Sequence, residues 1–178
     1  MKKNFVFLVL AILAFSISAF AQDYSGTWQL DKEASKLDDR SKNIESMTVT
    51  IAQNDKEITL TTDTKRSASP DGGGRMGGGR MGGGMGGTDS ATYTLDGKET
   101  KSEREGPMGK IPVSLKAKVG KDKLKLTRES TITTPMGAMT MTITDTLSLS
   151  ADGTTLTLER EQTSPRGTSS NKFVLKKQ

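Results

Sequence analysis

Arg128, Asp145 and Arg160 occupy positions where an alternating pattern asks for apolar side chains. A charge turned toward a protein interior is costly unless it is paired or wet. A planar guanidinium can meet a carboxylate through two parallel hydrogen bonds. Two arginines against one aspartate also leave a positive charge over, which suits an anion. The residues therefore admit two readings. One is a structural ion-pair cluster; the other is an anchor for the carboxylate of a small ligand. Trp28 and Tyr93, large aromatics on apolar strand faces, complete the candidate ligand-binding set.

The rest of the inventory removes chemistry. The chain has neither histidine nor cysteine. That excludes a Ser-His-Asp triad, a histidine-zinc site, a thiolate metal site and a cysteine nucleophile. It also excludes disulfides and a lipid anchor on an N-terminal thiol. The acidic pairs, Asp38-Asp39 and Glu159/Glu161, fall in a loop and on an outward face. No G-x-S-x-G elbow is present. We therefore expect no catalytic residue, no cofactor and no enzyme. Methionine is the one soft ligand left. Met76, Met81 and Met85 form one group, Met136, Met139 and Met141 another, and Met108 lies in a loop. Thioethers select Cu(I) or Ag(I) outside the cytoplasm. The competing reading is a slippage-expanded repeat that happens to contain methionine.

The elements that position these residues follow a leader. Lys2 and Lys3 precede an apolar run from Phe5 to Phe20, and Ala19-Phe20-Ala21 offers small residues at a cleavage site. This is the pattern of a secretory signal, so residues 1–21 are expected to be removed and the rest exported to the periplasm or beyond. The run is short for a membrane span. The whole chain carries +5; without Lys2 and Lys3 it carries +3, a mild excess that does not mark a nucleic-acid binder.

From residue 22 on, the chain reads as short alternating segments separated by turns. Trp28 and Leu30 share one face, as do Met47, Val49 and Ile51, then Ile58 and Leu60, then Ala91, Tyr93 and Leu95. Lys32 to Asn43 is polar and reads as a loop or one helical turn. A polar return strand runs from about Lys98 to Glu105. Longer alternating segments follow around Ile111–Val119, Leu124–Ile132, Met139–Leu149, Leu156–Gln162 and Phe173–Leu175. Period-2 alternation with frequent turns predicts an all-β fold. The specific expectation is an antiparallel up-and-down meander barrel of about 8–10 strands, because closure removes exposed edges. A two-sheet β-sandwich is the alternative. An outer-membrane barrel would need aromatic girdles, and Tyr24, Trp28, Tyr93 and Phe173 are too few to build them, so no stable membrane insertion is expected. Asp71 to Gly87 is dense in glycine, with Gly-Gly-Gly-Arg-Met twice, and is expected to be a disordered loop.

Gly26-Thr27-Trp28 opens the first strand and resembles the G-x-W motif of lipocalins and the wider calycin barrels. Gly-Thr-Trp-Gln-Leu-Asp with its Lys/Ser-containing loop resembles bacterial lipocalin-like exported proteins. The resemblance implies a barrel with a small apolar ligand in its mouth. It also implies that Trp28 plugs the closed end against an arginine from a late strand, for which Arg128 and Arg160 are the candidates. The sequence thus points to an exported lipocalin-like barrel, residues 22–178, binding a small amphipathic or anionic molecule. A ligand-free structural or interaction protein of the envelope is the alternative, and a methionine-based Cu(I) binder the second.

Overall fold

The computed structural model describes residues 22–67, 87–106, 109–134 and 137–178. The expected signal peptide, residues 71–86 of the glycine-rich loop, and Met76, Met81, Met85, Met108 and Met136 lie outside them.

Among the described residues, ten antiparallel strands form one sheet. They are β1 (Gly26–Lys36), β2 (Ile44–Gln53), β3 (Glu57–Arg66), β4 (Gly87–Thr94), β5 (Glu99–Gly106), β6 (Gly109–Val119), β7 (Leu124–Thr134), β8 (Gly137–Leu149), β9 (Thr155–Ser164) and β10 (Gly167–Lys177). Each strand pairs with its neighbours in sequence, and β1 pairs with β10, so the sheet curls into a nearly closed up-and-down barrel. The sandwich alternative is ruled out by this single continuous order. Two boundaries differ from expectation. β1 runs on to Lys36, with a register shift after Asp31, because its ladder to β10 resumes at Lys36↔Lys172. Only the following Asp38 to Asn43 is a helical-type turn, closed by Lys42 N–H donating to Asp38 O at 3.1 Å. Gly87 belongs to β4 rather than the loop, since it still pairs with Thr64.

Alternation sorts the side chains. Threonines and serines on the outer face pair across strands, as in Thr59–Thr92 and Thr61–Ser90, each 2.9 Å between hydroxyls. The inner face is not uniform along the barrel axis. At the lower end, near the turns joining β2–β3, β6–β7 and β8–β9, it is apolar and filled. Val49, Ile58, Leu124, Leu126, Leu147, Leu156, Leu158 and Leu175 are almost wholly excluded from water there. Leucines make up most of this filling.

Trp28 seals the lower end. It is fully buried, and its indole N–H donates to Tyr24 O at 3.1 Å. The cation above its ring is Lys177, 5.4 Å from the centroid, and not Arg128 or Arg160. Those arginines lie further up the barrel and are engaged elsewhere. The glycine of the motif has a reason of its own. Gly26 has φ +140, and an added Cβ would meet the Lys177 stem at 3.2 Å. Only glycine accepts that backbone beneath that lysine.

One join in the ring carries no ladder. β4 and β5 are consecutive in the chain, linked through Asp96-Gly97, yet they stand at opposite ends of the hydrogen-bonded order. Side chains span this seam instead. The Thr94 and Thr100 hydroxyls lie 3.3 Å apart, and Arg128 reaches Asp89.

Candidate functional site

Above the apolar half, the strands carry polar side chains inward. β8 places Asp145 directly opposite Arg160 of β9. The guanidinium grips the carboxylate by two bonds, Nε to Oδ1 at 2.7 Å and Nη2 to Oδ2 at 2.8 Å. Asp145 is 3% exposed, and the Arg160 side chain 22%. Burial works against the Arg160 charge, but the Asp145 carboxylate outweighs it and holds the guanidinium protonated beyond its ordinary range.

Arg128 does not share that carboxylate. The register sets Asp145 against Leu126 and Arg128 against Ile143, a step away. Arg128 instead sends Nη1 to Asp89 Oδ2 of β4, at 2.7 Å. The expected spare positive charge is thus not found on Arg128 or Arg160: each has its own aspartate.

Tyr93 completes the cluster. It is buried, and burial pushes its hydroxyl up to about 12; Arg128 opposes the shift and Asp145 adds to it. Tyr93 shares the inner face of β4 with Asp89, the partner of Arg128. Of the five residues singled out in the sequence, the structure thus brings Tyr93, Arg128, Asp145 and Arg160 together. Trp28 stands apart, at the sealed end.

Higher still, burial of the inner face is uneven: Ile111, Ser130, Ile132 and Ile143 remain buried, while their polar and methionine neighbours do not. Thr64, Asp89, Met139, Met141, Gln162 and Asn171 face inward by register yet are only half-buried. Gln162 Nε2 approaches Met141 Sδ at 3.6 Å, and Asn171 Oδ1 accepts the Asp38 N–H at 2.8 Å, tying the β1–β2 turn to the rim. Outside the barrel, a groove of about 470 Å³ runs over the outer wall between Lys36, Lys125, Glu159 and Lys172. Among the described residues, no group of three or more acidic, histidine or cysteine side chains could hold a metal.

Two inward charged residues of β4 to β9 escaped the sequence reading. Asp89 lies two positions before Ala91, and extending that alternation by one step would have found it. Arg104 lies on β5, a strand with no apolar residue to set its phase.

No protein-family model matches this chain, and no curated protein does. Among solved structures it is similar to zebrafish ileal bile acid-binding protein, crystallised with cholic acid. The two share 16% identity over 87% of this chain and 98% of that one, with a TM-score of 0.46.

Proposed function

We propose that this protein is an exported, lipocalin-like barrel that takes a small amphipathic or anionic molecule into its upper half. One observation carries the reading: Thr64, Met139, Met141, Gln162 and Asn171 face inward yet remain half-buried above a lower half whose inward side chains are excluded from water. Residues pointing into a barrel reach water only where packing does not fill the space between them. The floor of that space is the rung of Tyr93, Arg128, Asp145 and Arg160. Its wall is mixed, with Ile111, Ile132 and Ile143 beside Met139, Met141 and Gln162, which suits a molecule with a hydrophobic body and a polar head. Each carboxylate of the rung is already held by a guanidinium, so the rung offers a ligand hydrogen bonds and an electrostatic field.

The structural alternative has an observation of its own, since both ion pairs are internally satisfied and need no ligand. Native mass spectrometry of protein purified from its own source separates the two. A co-purifying small molecule, lost on denaturation, is expected. Ligand-free protein that also fails to bind decanoic acid and 1-decanol would leave the structural reading standing.

A further inference from the structure

Arg104 is the inward arginine with a buried nitrogen that no acceptor answers among the described residues. β5 pairs with β6 in the register Thr100↔Leu115, Ser102↔Val113 and Arg104↔Ile111. Directly opposed residues of an antiparallel pair share a face. Ile111, Val113 and Leu115 are buried on the inner face, so Arg104 points inward with them. Its Nε is buried and has no hydrogen-bond partner among the described residues. The contrast with the other inward arginines is sharp. Arg128 has Asp89 and Arg160 has Asp145, while Arg66 at the β3 rim gives Nη1 to Arg40 O and Asn43 Oδ1. From β4 to β9 the inward-facing set is Arg104, Arg128 and Arg160 against Asp89 and Asp145, which leaves one positive charge. By elimination it belongs to Arg104.

A buried guanidinium nitrogen without an acceptor is costly in the empty protein and valuable once an acceptor arrives. We propose that Arg104, rather than Arg128 or Arg160, takes the carboxylate of a carboxylate-bearing amphiphile, with the apolar body lying toward the Tyr93 rung. This rests on the ligand-binding reading above and names its head-group contact. It sets the head at the upper, β5–β6 side of the barrel, beside Ile111.

The test compares decanoic acid with 1-decanol, which share a chain and differ in the head, by titration calorimetry on the protein without its leader. Wild type is expected to favour the acid by about tenfold or more, the usual scale for a charge-assisted contact. Arg104→Gln should bring the acid down to the alcohol's affinity and leave the alcohol unchanged. Without ligand, Arg104→Gln should melt no lower than wild type, because it removes an unanswered charge. Arg104→Met makes the same comparison should the glutamine variant not fold. Unchanged acid affinity in the variant overturns the inference and leaves the ligand-binding reading intact. Parallel loss of both probes, or a lowered melting temperature, assigns Arg104 a structural role and also overturns it. Failure of wild type to bind either probe overturns the reading beneath.

Discussion

Asp145 and Arg160 hold each other face to face across β8 and β9, so removing one strands the other. Asp145→Asn is expected to cost about 3 kcal/mol in urea denaturation, the lower end for breaking a buried pair because Arg160 keeps some solvent. Joint replacement of both by leucine should recover most of that loss, and a double-mutant cycle reads the difference. Tyr93 makes a pH prediction. Its hydroxyl is pushed up to about 12 from an ordinary value of 10.0, so between these values the unfolded chain loses a proton that the folded one keeps. Stability is therefore full below pH 10 and falls as pH rises toward 12. The loss is on the order of 2–3 kcal/mol. Tyr93→Phe should remove this part of the decline in urea titrations across that range. At this scale the sequence was readable where alternation set the phase: Arg128, Asp145 and Arg160 broke a pattern written by their leucine and isoleucine neighbours. Their partners were not readable, because a carboxylate's choice between two arginines depends on a two-residue offset in register. Arg104 was invisible for a simpler reason. Lys98 to Glu105 has no apolar residue, and its inner face is fixed only by pairing with Ile111.

At the scale of elements, the seam between β4 and β5 and the first turn of β1 behave differently from the rest of the sheet. The Arg128–Asp89 strap ties an 11% exposed side chain to a 46% exposed one, so salt reaches it. Asp89→Asn should cost no more than about 1 kcal/mol, and raising NaCl should narrow the gap to wild type. The Asp145–Arg160 pair should respond less to the same salt. Gly26→Ala is expected to cost about 1–3 kcal/mol in thermal or urea unfolding, through a backbone conformation that other residues rarely adopt. The turns were largely legible: Asn54 accepts from Lys56 and Glu57 N–H, and Asp152 from Thr154, as such side chains do at chain reversals. The extension of β1 was not. Lys32 to Lys36 has the composition of a loop, and only its return to β10 keeps it in the sheet.

For the whole molecule, the meander followed from local pattern, because each hairpin names its own neighbour. The two special joins could not be read that way. Whether first meets last, and where the ring lacks a ladder, are decided by closure of the entire sheet. Closure joins Trp28 to Lys177 and brings Gln178 N–H to Thr27 O at 2.9 Å. Such long-range pairing is slow, so refolding followed by the fluorescence of Trp28 should take milliseconds to seconds rather than microseconds. The seam has a consequence for how the chain could be rewired. Gln178 N–H reaches Thr27 O, so the end of β10 lies beside the start of β1, while the missing ladder lies across the barrel at Gly97. A circular permutant, with Gln178 linked to Gln22 and new ends opened at Gly97, would place its covalent break on the break that the sheet already has. Every remaining pairing would then be a hairpin between sequence neighbours, and the strand order around the barrel would simply be the order of synthesis.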